Sequence, residues 1–383
     1  SLRRQRQMCI RDRRYTAGMN ASINEKRLLE VWELLDRWHQ DCGVGAISAE
    51  VGNERDASDS YVAGFDDLNR SIPVDANSRY LIASPTKPFI AVAAMILVEK
   101  GQLQVSDRVS KYIPAFADQG KSEIRIAHLL THTSGLPDML PNNVDLRKAK
   151  APLSEYQKHT NTVDLVHSPG TRVHYQSMGI LTLSSVLEVI TSVSMPEFLA
   201  TEIFSPLHMS MTSLGVSDEC LRSARPPVDA MVEHVAGHDD WGWNGDYWRK
   251  LGAPWGGLIS TSSDMGLFCR HVLRILSGEQ GILSKSSMRA MTSNQLVGSP
   301  KLQAGTSEAY PWGYGWQLNW PNHPRGFGSV LPPNAFGHWG ATGTLVWIDP
   351  TKSVYGVVLT NEPMGLENRR QIQFANMSRL AWD

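Results

Sequence analysis

Residues 80–103 read YLIASPTKPFIAVAAMILVEKGQL, and the fold follows from how that stretch is interpreted. Proline lacks an N–H and fits the first turn of a helix, where the N–H groups have no intrahelical partner anyway. Pro85 and Pro88 therefore set a helix start at about Ser84. From Phe89 to Val98 the run is apolar on every side, and Glu99, Lys100 and Gly101 end it. A helix that is apolar all round is a central one, so Lys87 is predicted in the first turn of a buried helix. Residues three apart share a face, which brings the Lys87 ammonium to the Ser84 hydroxyl. A lysine in low dielectric near other cations sheds its proton more readily, and a helix N-terminus favours developing negative charge. On this reading Ser84 is a nucleophile. The S-x-x-K spacing alone is a weak signal, its bland reading being a capped helix with a snorkelling lysine.

The 383 residues are 42% hydrophobic and 20% charged, the composition of an ordinary globular protein able to bury a large core. A net charge of -1 gives no footprint for nucleic acid or an anionic membrane. The one basic cluster, SLRRQRQMCIRDRRY, lacks the apolar stretch of a secretory signal, and no run elsewhere is long enough to span a membrane. Residues 1–18 are read as a disordered or non-native tail, and the protein as soluble and cytoplasmic. Cys9, Cys42, Cys220 and Cys269 are scattered and form neither a zinc knuckle nor a disulfide framework.

Ser22 and Glu25 suggest a capping box ahead of an amphipathic helix in which Leu28, Val31, Trp32, Leu35 and Trp38 recur at helical spacing. VGAISAEV and DSYVAGF read as strands of a meander, GTLVWID and VYGVVLTN as a hairpin about PTKS, and LENRRQIQFANMSRLAWD as a closing helix. The expected architecture is an α/β sandwich. Residues 19–80 and 271–383 supply an antiparallel sheet domain, and 81–270 a mainly helical domain carrying Ser84 and Tyr175, with the site at their junction.

In its wider context the opening stretch resembles the nucleophile helix of the serine β-lactamase and penicillin-binding-protein superfamily, in particular its class C-like esterase and peptidase branch. VSKYIPAF, IRIAHLLTHTSGLP, IFSPLHMSMT, PWGGLISTSSDMGLF and FGHWGATGTLVWIDP resemble that branch in the same order, from about residue 40 onward. The resemblance implies a β-lactamase/transpeptidase-like fold, an acyl-enzyme on Ser84, and no metal or organic cofactor. It makes Tyr175, in the YQS match to Tyr-x-Asn, the general base and later the general acid, working with Lys87, with neighbouring cations stabilising phenolate. Ser177 departs from the pattern, because a hydroxyl replaces the carboxamide that would orient Lys87 and contact a substrate amide. His338, Trp339 and Gly340 stand where β-lactamases have Lys-Thr-Gly. An imidazole is largely neutral at pH 7, so its charge does not stand in for the lysine's, and the resemblance of this form to the esterase-like relatives shifts the expected substrate toward small-molecule esters or small amides. By the same resemblance the N–H groups of Ser84 and Ala341 form an oxyanion hole, with Gly340 allowing close approach.

Other segments offer competing chemistry. LLTHTSGLPD holds His132, Ser134 and Asp138 but reads as a helix end and tight turn, and is left out of the site. WGWNGDYWRKLGAPWGG reads equally as a pocket lining or as core packing. EHVAGHDD places His234, His238, Asp239 and Asp240 at metal-compatible spacing, although the H-E-x-x-H order is absent. β-Lactamase or D-amino-acid peptidase activity is the alternative within the class. A catalytically silent binding or scaffold member is the alternative from another class.

Overall fold

The computed structural model describes residues 23–231, 241–299, 301–302, 311–321, 323, 326–363 and 369–383. The strands, in chain order, are β1 (Ala46–Asn53), β2 (Tyr61–Gly64), β3 (Tyr80–Leu81), β4 (Ser213–Leu214), β5 (Leu258–Ser260), β6 (Gln317–Leu318), β7 (Phe336–Gly340), β8 (Thr344–Asp349) and β9 (Val354–Thr360). Those from the two ends of the sequence join in a six-stranded antiparallel sheet of order β2-β1-β9-β8-β7-β6. Register is pinned at Ile47 opposite Thr360 and at His338 opposite Val346. β3, β5 and β4 form a separate three-stranded sheet. Its strands are two or three residues long, too short for any period to declare them.

The longer helices are α1 (Glu25–Gln40), α2 (Thr86–Glu99), α3 (Met178–Thr191), α4 (Ser262–Ser277) and α5 (Arg369–Leu380). Side chains alternate along a strand, so the large sheet presents two apolar faces. Ile47, Ala49, Val51, Leu345, Trp347 and Val358 pack with Leu28, Val31 and Leu35 of α1 and Phe374 of α5. Ala46, Phe336, Val346, Val357 and Leu359 join the larger core built with α2, α3 and α4. The alternation puts His338 on this second face, which looks toward α2. The expected antiparallel sheet flanked by helices is the fold observed.

Two details of the helices differ from or extend the sequence reading. Asn24 caps α1, its side chain accepting from the Arg27 N–H at 3.2 Å. Asparagine and serine cap about equally well, so composition could not choose between Asn24 and Ser22, which lies outside the described residues. α2 is buried from Thr86 to Leu97, and Lys100 caps it ahead of Gly101 at φ +68°. Each large apolar side chain so buried contributes about 1.5–3 kcal/mol, an upper figure, which lets this helix carry a buried lysine at its start. No single helix among the described residues is long and apolar enough to cross a membrane. The bent pair Met178–Thr191 and Met195–Phe204 passes on length and composition, but its Leu181, Leu187 and Phe198 lie in the core.

Candidate active site

Ala83 has φ +55°, in the left-handed region that non-glycine residues seldom occupy. Its surroundings over-determine it. The Thr86 N–H and hydroxyl donate to the Ala83 carbonyl at 2.9 and 2.7 Å, and the Thr86 hydroxyl accepts from the Leu258 N–H at 3.1 Å. Thr342 and Thr344 hydroxyls donate to the Leu81 and Ile82 carbonyls, each at 2.7 Å. The chain is thus tied to both sheets just before Ser84. Such strain persists only where neighbouring contacts enforce it, and it clusters at functional sites. Ser84 emerges from this turn half-buried, while Lys87 one turn on is buried.

Lys87 Nζ lies 3.0 Å from Ser84 Oγ, donates to the Trp255 carbonyl at 2.7 Å, and sits 4.7 Å from the centre of the Tyr175 ring. Burial pushes its pKa down to about 7, against an opposing pull from Asp138. The expected depression is present and the expected low dielectric causes it, while the charged group acting on it is a carboxylate and not a second cation. Trp255 holds one N–H of the amine and the Ser84 hydroxyl lies opposite another.

Tyr175 corrects the sequence reading more sharply. Its hydroxyl is buried, and burial pushes the phenol above its ordinary range, Asp138 adding to the rise and the nearby Ser84 hydroxyl lowering it only in part. Among the described residues the neighbouring imidazoles of His132 and His338 are held toward the neutral form, and Asp138 opposes phenolate. At rest Tyr175 is therefore a phenol, suited to donating a proton.

His338 is buried, and burial together with Lys87 pushes it down to about 3. Its Nδ1–H donates to the Trp339 carbonyl at 2.7 Å, which leaves Nε2 as an acceptor without a partner among the described residues. The expected neutral imidazole is what the surroundings impose. Gly340 closes β7 against the nucleophile turn: a Cβ there would lie 1.8 Å from Thr344 Oγ1 and 2.3 Å from the Ile82 carbonyl oxygen. Neither the Ser84 N–H nor the N–H of exposed Ala341 has a protein acceptor among the described residues.

Ser177 does not reach Lys87. Its hydroxyl donates to Asp138 Oδ1 at 2.7 Å, and its N–H to the Asp138 carbonyl at 3.2 Å. The turn set aside from the site thus returns to it through Asp138. His132 and Ser134 of the same turn act as scaffold. The Gln176 N–H donates to His132 Nδ1 at 3.2 Å, Ser134 Oγ donates to Gln176 Oε1, and the His132 ring lies 4.7 Å from that of Tyr175. Trp312, which no motif marked, packs 4.4 Å from His132 and 5.9 Å from His338, centre to centre.

Trp241, Trp248 and Trp255 are buried and pack as core, so the Trp-rich tract meets the site through the Trp255 backbone carbonyl. A main-chain acceptor leaves no mark in a sequence. Asp138 could have been found only by pairing it with the unusual Ser177. The metal-like residues His234, His238, Asp239 and Asp240 lie outside the described residues, and among those described no three His, Cys, Asp or Glu side chains gather at a metal site. Two surface clefts, one lined by Glu54, Arg289 and Ser353 and another by Lys150, Asp246 and Tyr247, do not include Ser84.

An antiparallel sheet flanked by helices, with a serine and a buried lysine one turn apart against the end of β7, defines the serine β-lactamase and penicillin-binding-protein class. The family model described as Beta-lactamase matches residues 34–376, and the chain belongs to that family. A Salmonella heidelberg protein provisionally named D-alanyl-D-alanine carboxypeptidase is 28% identical over 324 residues, covering 77% of this chain and 72% of the relative. A penicillin-binding protein homologue from Caulobacter crescentus superposes with a TM-score of 0.74 at 19% identity, covering 94% of this chain and 99% of its own. EstCE1, a hydrolase with promiscuous acyltransferase activity, superposes at 0.73 and 19% identity, covering 93% and 99%. These structures share the fold.

Proposed function

We propose that the protein is a serine hydrolase acting on esters or small amides through an acyl-enzyme, in the manner of a carboxylesterase. The observation that carries this reading is Lys87 Nζ, buried, fixed on the Trp255 carbonyl and 3.0 Å from Ser84 Oγ. The neutral amine takes the Ser84 proton as Oγ bonds to the carbonyl carbon, and the Ser84 and Ala341 N–H groups receive the oxyanion. Tyr175 passes a proton to the leaving oxygen or nitrogen and regains one from Lys87. Water, deprotonated by the same pair, then releases the acid.

The name of the Salmonella relative favours a second reading, cleavage of a peptide ending in D-alanine. Against it, the position that would meet a terminal carboxylate holds neutral His338, and Asp138 adds repulsion. The test incubates wild-type and Ser84→Ala protein with p-nitrophenyl butyrate, nitrocefin and a D-alanyl p-nitroanilide, with intact mass spectrometry for a trapped acyl group. Ester turnover that needs Ser84 and exceeds nitrocefin hydrolysis supports the esterase reading. Turnover retained in pure Ser84→Ala protein refutes the mechanism. No turnover and no adduct on any substrate favours a silent binding protein.

A further inference from the structure

Asp138 is a carboxylate left without a counter-ion. It is half-buried, Ser177 gives it one O–H hydrogen bond, and among the described residues no lysine, arginine or histidine forms an ion pair with it. Its Oδ2 accepts no hydrogen bond from a described residue and is not sealed from solvent. Its charge is felt by both Lys87 and Tyr175, which places it within electrostatic reach of the reacting atoms. Among the described residues Lys87 is the one ammonium on which that charge acts, and it is already committed to Ser84 and Trp255. His132 and His338 are held neutral, and His338 Nε2 adds a second unpartnered acceptor. The described residues around Ser84 therefore offer acceptors and one negative charge, and once Lys87 gives up its proton none of them balances that charge. A partly buried unpaired charge is costly, and a ligand cation that neutralises it recovers that cost.

We infer that Asp138, presented by Ser177, forms an ammonium subsite beside the scissile carbonyl, so that the preferred substrates are cationic esters or amides and carboxylate-bearing ones are disfavoured. The inference rests on the hydrolase reading for its consequence in turnover, though the subsite itself is a matter of binding. Replacing the usual carboxamide by this serine and aspartate pair changes a neutral contact into a charged one.

Two pairs of matched esters test it in turnover. Butyrylcholine and 3,3-dimethylbutyl butyrate differ only by charge in the alcohol part, and alanine ethyl ester and ethyl isobutyrate differ in the acyl part. In at least one pair kcat/KM should favour the cation about tenfold, equivalent to about 1.4 kcal/mol. Asp138→Asn, which keeps an oxygen for the Ser177 hydroxyl, should bring that ratio close to one. Calorimetric binding of choline and 3,3-dimethylbutanol to Ser84→Ala protein tests the subsite without turnover. Tighter choline binding that Asp138→Asn removes supports it, even if no ester is hydrolysed, in which case the hydrolase reading alone fails. Equal treatment of cation and isostere in both ester pairs, or a cation preference that survives Asp138→Asn, overturns the inference.

Discussion

Lys87 donates to the main-chain carbonyl of Trp255, 168 residues further along the chain, at 2.7 Å. That bond anchors the amine through one N–H while Nζ stays 3.0 Å from Ser84 Oγ. It also makes the placement of the amine depend on a backbone atom that no side-chain substitution at 255 removes outright.

Because burial brings Lys87 to about 7, the neutral base gains population as pH rises through that value. The kcat/KM for an uncharged ester should therefore climb through neutral pH and level off above it. Lys87→Arg, which stays charged, should lose about 10²–10⁴-fold. A profile that is flat from pH 6 to 8 would exclude Lys87 as the base.

The same burial has a cost in stability. The folded-state pKa lies below the ordinary lysine value, so between the two the unfolded chain binds more protons and stability rises with pH. The penalty is fully present below about pH 7 and relieved toward pH 10. Lys87→Met should thus raise the melting temperature while abolishing turnover, and by more at pH 6 than at pH 9. Equal increments at both pH values would mean that the lysine is not buried as a charge.

Gly340→Ala places a methyl carbon against Thr344 Oγ1 and the Ile82 carbonyl, and the latter is backbone that cannot swing aside. The end of β7 must draw away from the nucleophile turn. Thermal unfolding should show a loss of about 1–3 kcal/mol, and kcat should fall by about 10²-fold or more if the Ala341 N–H serves the oxyanion. Activity near wild type would place the oxyanion contacts elsewhere.

His338→Lys introduces a second amine close to Lys87, where His338 is now neutral. Selectivity for monoethyl methylmalonate over ethyl isobutyrate should increase, and the rise in the pH profile should move below its wild-type position through repulsion between the two ammonium groups. An unchanged substrate ratio would show that this position does not set selectivity.

Legibility followed the range of the interaction. Ser84 and Lys87 could be read because their relationship is local, one helical turn announced by two prolines and a sustained apolar run. The β8–β9 hairpin and α5 were legible for the same reason. Tyr175, His338 and Gly340 came only through resemblance, since nothing local says that a YQS segment ahead of α3 and the end of β7 meet at α2. Asp138 was set aside because its neighbours Gly135 and Pro137 announce a turn, whereas its partner Ser177 lies 39 residues away. The protonation of Tyr175 was misread because a nearby cation is easy to count in a sequence and desolvation is not.

β1 needs β9 as its sheet neighbour, and the Ala46 N–H is capped by the Asn361 side chain 315 residues later. During synthesis at about 5–20 residues per second, the first strand must wait tens of seconds for that partner. Throughout that interval α2 exists without β7 behind it, and β1 has β2 but not β9 to pair with. Its free edge is open to strand mispairing until β9 is made.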